Sequence, residues 1–229
     1  MKHIFSIAII VLFCMNTMAQ QTHQTFKTCN ELSYLLSLPD GYSADGQASP
    51  LLLFLHGSGE RGSELEKVKA WGPPKLIAEG TKLPFIVVSP QCPTGQRWDI
   101  YVLKQLLDDL VKTYNVDKTR IYLTGLSMGG YGTWALATAF PEYFAAIVPV
   151  CGGGDPQSAY RIKDIPCQIF HGKLDKAVPE QRSAEMVEAL KKLGADVKYT
   201  VLPEGDHQAS WIYAYNEADL WNWFLSHKK

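Results

Sequence analysis

Ser127 stands in Gly125-Leu-Ser127-Met-Gly129, a serine with a glycine two positions to either side. That spacing fits a nucleophile elbow: a strand stops, the serine occupies the apex of a sharp turn, and a helix starts at once. The glycines let strand and helix approach closely, and the strained turn lifts the hydroxyl clear of the sheet. The helix start offers unpaired N–H groups and a positive dipole end, which suit an oxygen that becomes anionic during acyl transfer. The flanks agree. Arg120-Ile-Tyr-Leu-Thr124 is a β-type run, and Tyr131-Gly-Thr-Trp-Ala-Leu-Ala-Thr-Ala139 is a helical one.

A serine hydroxyl is a poor nucleophile near neutral pH and needs an adjacent base. On such an elbow the partners are expected in the chain order serine, acid, histidine, each in a loop at the carboxyl end of a strand. After the apolar run Cys167-Gln-Ile-Phe170 comes His171-Gly-Lys-Leu-Asp175-Lys-Ala-Val-Pro179, which places Asp175 in a strand-to-helix loop 48 residues after Ser127. After the run Val197–Val201 comes Leu202-Pro-Glu-Gly-Asp-His207, a further 32 residues on and again in a loop. His207 would take the Ser127 proton and return it to the leaving group. Asp175 would hold the imidazole tautomer and stabilise its charged form. His3, His23 and His227 lie near the termini, and His56 and His171, each at a strand end before a glycine, read as hydrogen-bonded scaffold residues. Asp206 adjoins His207 too closely to face its ring, which leaves Asp155 as the second choice for the acid. The hydroxyls of Ser58 and Ser210 stand on no elbow and read as structural.

An oxyanion hole needs two preorganised N–H donors. One belongs to Met128, directly after the nucleophile. The other is expected from His56-Gly-Ser-Gly-Glu-Arg-Gly62, the loop after the apolar run Leu51–Leu55, with Ser58 the first choice and Gly57 the next. The same glycine-rich loop lacks the Lys-Ser/Thr ending of a phosphate-binding P-loop and any dinucleotide spacing. Trp98, after the loop Pro90-Gln-Cys-Pro-Thr-Gly-Gln-Arg97, is the choice for a substrate wall, able to stack on a sugar or phenolic ring. Trp71 and Trp211 are weaker candidates, Trp221 and Trp223 read as packing in the last helix, and Arg97 as a solvated loop residue.

Positioning these groups requires a sheet with all three loops at one rim. Continuous apolar runs typical of buried parallel strands occur at Leu51–Leu55, Phe85–Val88, Ile121–Leu123, Ala146–Val150, Cys167–Phe170 and Val197–Val201. Phe26 to Leu38 reads as edge strands. Helical spacing joins Val102, Leu103, Leu106, Leu107, Leu110, Val111 and Tyr114, then Ala184, Val187, Leu190 and Leu193, and a last helix is expected from Trp211 to Leu225. The alternation predicts an α/β fold, a mostly parallel, doubly wound sheet flanked by helices. The stretch between Val150 and Cys167 is too short to hold a cap domain, so an open site is expected, suited to bulky or polymeric substrates.

Residues 1–19 read as a signal peptide: Lys2, an apolar run from Ile4 to Cys14, and the small-residue site Thr17-Met18-Ala19. Residues 20–229 then form a single catalytic domain, with 21 basic against 23 acidic residues once Lys2 is removed. That balance gives no reason to expect nucleic acid or an anionic membrane as a partner. Cys29, Cys92, Cys151 and Cys167 remain; export permits disulfides, but buried thiols acting as small hydrophobes are the favoured reading. No cofactor is implied, and no cysteine–histidine cluster has metal-ligand spacing.

Taken in order, Leu55-His-Gly-Ser-Gly-Glu-Arg-Gly62, Val88-Ser-Pro-Gln-Cys-Pro93, the elbow Gly125–Gly132, His171–Pro179 and His207 followed by Ser210-Trp211 resemble a family of secreted bacterial α/β-hydrolases. These are of the predicted-peptidase or phospholipase/carboxylesterase type, similar to the feruloyl and acetyl-xylan esterases of carbohydrate esterase family one. The resemblance covers nearly all of residues 20–229 and implies Ser127, Asp175 and His207 as a triad, with the amides of Ser58 and Met128 as oxyanion donors. It departs from the pattern in His207-Gln-Ala-Ser-Trp211, where relatives take a shorter step from histidine to Ser-Trp. The expectation is an exported serine esterase acting on small-molecule or polysaccharide-linked acetyl or feruloyl esters. The alternatives are a serine peptidase for short peptides and a non-catalytic binding protein on the same fold.

Overall fold

Apolar side chains on both faces of a run force it between two layers, and five of the six expected strands lie there, whereas Val197–Leu202 is a half-exposed strand at the sheet edge. The computed structural model describes residues 20–27, 31–216 and 219–229. The expected signal segment and Cys29 fall outside the described residues. Among the described residues eight strands occur in chain order: β1 (Gln21–Lys27), β2 (Glu31–Ser37), β3 (Ser49–Leu55), β4 (Ile86–Pro90), β5 (Val116–Leu126), β6 (Ala146–Val150), β7 (Cys167–Gly172) and β8 (Val197–Leu202). The helices are α1 (Gly72–Ala78), α2 (Ile100–Thr113), α3 (Met128–Ala139), α4 (Gln181–Lys192), α5 (His207–Asn216) and α6 (Asp219–Leu225).

The strands form one sheet in the order β1-β2-β4-β3-β5-β6-β7-β8. β1 and β2 pair antiparallel at one edge, as do β2 and β4, and the pairs from β3 to β8 are parallel. Leu52, Phe54, Tyr122, Val148 and Phe170 face the layer made by Ile77 of α1, Ala214 and Tyr215 of α5, and Leu220 and Phe224 of α6. Leu51, Leu53, Leu123, Ile147 and Ile169 face Leu103 to Leu110 of α2, Trp134 of α3 and Leu190 of α4. The expectation of a doubly wound, mostly parallel sheet holds. The chain steps from β3 outward to β4 and then crosses back over β3 to β5, so the order reverses between those central strands. Loops leaving β3 and β5 therefore splay apart over a crevice at their carboxyl ends, where sheets of this kind bind ligands.

One helix differs from expectation in its bounds. The last helical stretch begins at His207 rather than Trp211, because Asp206 Oδ1 accepts the Ala209 N–H at 2.9 Å and caps the start of α5. Helix is described again over α6, Asp219–Leu225, and residues 217 and 218 lie outside the described residues. Between β6 and β7 the chain carries a single 3₁₀ stretch, Pro156–Ile162.

Candidate active site

The elbow is built on backbone strain that only its neighbours' size permits. Ser127 adopts φ of 52°, a left-handed conformation that side-chain-bearing residues rarely hold, and its N–H donates to the Val150 carbonyl at 3.0 Å. A Cβ on Gly125 would come within 2.5 Å of the Gly129 carbonyl oxygen, and one on Gly129 within 1.8 Å of the Leu55 carbonyl oxygen. Both glycines are thus required by the close crossing of α3 over β3 and β5.

Three strand ends deliver the reacting groups. His207 Nε2 lies 2.9 Å from Ser127 Oγ, and His207 Nδ1 lies 2.5 Å from Asp175 Oδ2. The order of contacts makes Nδ1 the donor to the carboxylate and leaves Nε2 free to accept the serine proton. Asp175 is saturated: its Oδ1 accepts the N–H groups of Ala177 at 2.9 Å and Val178 at 2.8 Å. Its side chain is fully buried, whereas that of His207 keeps 22% of its exposure, enough for a substrate to reach. Ser210, one turn along α5, accepts the Gly172 N–H at 2.9 Å and donates to the Asp206 carbonyl, tying the histidine's helix to the end of β7. The unusual step His207-Gln-Ala-Ser-Trp211 is therefore no loop but the first turn of α5.

The second histidine of this region escaped the sequence reading as an active-site neighbour. His171 Nε2 lies 3.1 Å from Asp175 Oδ2 and 2.9 Å from the Val178 carbonyl, and its Nδ1 meets Ser183 Oγ at 2.8 Å. It is wholly buried, a scaffold residue as expected, but the scaffold it holds is the acid of the triad. The available signal was its place at the end of β7, four residues before Asp175. Asp155, the second choice for the acid, instead caps the 3₁₀ stretch after β6, accepting the Gln157 N–H at 3.0 Å.

Met128 opens α3, so its N–H has no partner inside the helix and stands beside Ser127. Across the crevice, Ser58 begins a short 3₁₀ turn and is exposed, while Gly57 is buried. Of the two, the exposed Ser58 is favoured as the second oxyanion donor. His56 braces this loop from within: its Nδ1 bonds to the Gly57 carbonyl at 2.5 Å, and its Nε2 accepts the Cys92 N–H at 3.0 Å. Burial depresses His56 to about 4, and burial raises the neighbouring Glu60 above the usual carboxylate range. The two lie 3.8 Å apart, and both shifts run against an ion pair.

Trp98 does not stand as a free wall. Its indole N–H donates to the His56 carbonyl at 3.2 Å, its ring packs edge-on against His56, and a Cβ on Gly132 would touch it at 2.9 Å. It braces the loop that carries Ser58. The aromatic surface that does touch the triad is Trp211, whose ring centre lies 5.0 Å from that of His207 at 88°; Trp71 packs in turn on Trp211, ring centres 5.9 Å apart.

Among the described residues, Cys151, Asp175 and His207 bring potential metal-ligating atoms within 4.8 Å of one another. Asp175 and His207 are already committed to each other, and burial pushes the Cys151 thiol far above its ordinary value, so the thiol stays protonated and ill suited to bind a cation. Cys92, Cys151 and Cys167 are free and buried.

Comparison with known proteins agrees with this geometry. The signature of the Dienelactone hydrolase family matches residues 96–217, more than half of the chain. The bifunctional acetylxylan esterase/xylanase XynS20E of Neocallimastix patriciarum is 35% identical over 130 residues, covering 54% of this chain and 18% of that protein. Poly(3-hydroxyalkanoate) depolymerase C of Paucimonas lemoignei is 29% identical over 133 residues, covering 51% of this chain and 30% of that one. The chain thus spans less than a third of the length of these curated relatives. A solved thermostable esterase superposes with a TM-score of 0.82 at 35% identity, over 91% of this chain and 63% of the other.

Proposed function

We propose that this chain, which belongs to the dienelactone hydrolase family, is an exported serine esterase that acts through an acyl-enzyme on Ser127. The observation that carries this reading is the unbroken chain from Ser127 Oγ to His207 to Asp175, at 2.9 and 2.5 Å. His207 removes the serine proton as Oγ attacks the ester carbonyl, and the Met128 and Ser58 amides receive the developing oxyanion. His207 then protonates the departing alcohol, and the same histidine activates the water that releases the acid. The substrate class we favour is acetyl or feruloyl esters on plant polysaccharides. Likeness to an acetylxylan esterase supports it, as does the short segment between β6 and β7, which leaves the site open to a polymer. Export rests on the sequence of residues 1–19.

Turnover of p-nitrophenyl acetate, methyl ferulate, acetylated xylan and short peptide anilides tests the reading. We expect hydrolysis of the esters, with acetylated xylan or methyl ferulate preferred, and negligible amide cleavage. Rapid amide cleavage with inert esters would make the protein a peptidase.

A further inference from the structure

The histidine that protonates the leaving group also marks the side on which that group departs. His207 Nδ1 is engaged by buried Asp175, so the alcohol oxygen must approach Nε2, beside Ser127. His207 and Trp211 are four residues apart on α5, which puts them on one face of that helix. Trp211 packs perpendicular to the imidazole and is 8% exposed, and Trp71, half-buried, packs edge-on against Trp211. Trp71 does not swing freely. The next residue, Gly72, holds φ of 67°, and a Cβ there would stand 2.7 Å from the Phe54 ring, so the turn is pinned to the core. The Lys75 ammonium lies 5.3 Å from the centre of the Trp71 ring, a cation–π contact that fixes the ring further and brings N–H donors to the same spot.

We infer that Trp71, held by Trp211 and Lys75, is the subsite for the alcohol half of the substrate, and that this alcohol is a sugar. A pyranose presents an apolar C–H face that packs on an indole, ringed by hydroxyls that an ammonium can bond. A small aliphatic alcohol offers neither. The subsite rests on the esterase reading, because it is the leaving group's path past His207 that defines it. It assigns alcohol recognition to the loop before α1 and leaves Trp98 its bracing role.

The test compares two acetates that share the acyl group and differ in the alcohol: ethyl acetate and an acetylated xylo-oligosaccharide. The variants are Trp71→Leu, which keeps apolar bulk without a π-face, and Trp71→Phe, which restores a ring. The readout is the ratio of kcat/KM for the sugar ester to that for ethyl acetate. Trp71→Leu should lower this ratio roughly five- to tenfold, mainly through KM, and Trp71→Phe should recover most of it. A ratio equal to wild type in both variants, or equally low in both, overturns the subsite while the esterase reading stands. A wild-type protein inert towards both acetates removes the esterase reading and the subsite with it.

Discussion

Replacing Asp175 by asparagine changes one atom and should almost silence the enzyme. Oδ1 accepts two N–H groups, from Ala177 and Val178, so the asparagine carbonyl oxygen must take that position. The amide nitrogen then falls where Oδ2 was, facing His207 Nδ1 and His171 Nε2. Donating to Nδ1, it fixes the tautomer that carries its proton on Nε2, and that nitrogen can no longer accept from Ser127. Flipping the amide to recover the working tautomer would set two N–H donors against an NH₂ group in a buried turn, at about 1–3 kcal/mol each. A cost of about 5 kcal/mol holds the productive state to roughly one part in several thousand, and the lost stabilisation of the imidazolium adds to it. We expect kcat on p-nitrophenyl acetate to fall roughly 10⁴-fold, with an unchanged thermal midpoint excluding collapse. A rate within tenfold of wild type would remove Asp175 from the acid's role.

Two further outcomes follow from the scaffold. His56 is held at about 4 against an ordinary 6.5, so the folded state resists its protonation and the unfolded state does not. The unfolded chain binds the extra proton between those values, so this contribution is intact above about pH 6.5 and is lost as pH falls toward 4. By pH 4.5 it amounts to about 2.5 kcal/mol, and urea unfolding should show that wild type loses this much more stability than His56→Gln between pH 7 and pH 4.5. Parallel curves for the two proteins would contradict it. Gly129→Ala should cost about 3 kcal/mol or more and abolish turnover, since its Cβ would meet the Leu55 carbonyl oxygen at 1.8 Å. A stable and active alanine variant would show that α3 can slide away from β3.

What the sequence made legible was whatever depends on local order. The elbow is a contiguous pattern, and Asp175 and His207 each follow an apolar run by a few residues, so strand ends alone located them. Buried parallel strands announce themselves as continuous apolar runs, and all of those in the central sheet were found this way. Pairings set by tertiary packing stayed hidden. Trp98 and Trp211 both look like aromatic residues near a rim. Only the folded chain shows that the Trp98 N–H is spent on the His56 carbonyl while Trp211 reaches the catalytic imidazole. His171 read as scaffold, and its place four residues before Asp175 was the one hint along the chain that the scaffold it holds is the acid. The start of α5 was misplaced because Asp206, set aside as a catalytic acid, was not recognised as the cap.

Everything in the site turns on Ser127 being the residue acylated and on His207 making it reactive. Reaction with a fluorophosphonate followed by peptide mapping by mass spectrometry tests this most directly. One adduct per chain is expected, on Ser127, absent in Ser127→Ala and formed several orders of magnitude more slowly in His207→Ala. A folded wild-type protein that takes no label, or takes it on another residue, would contradict it.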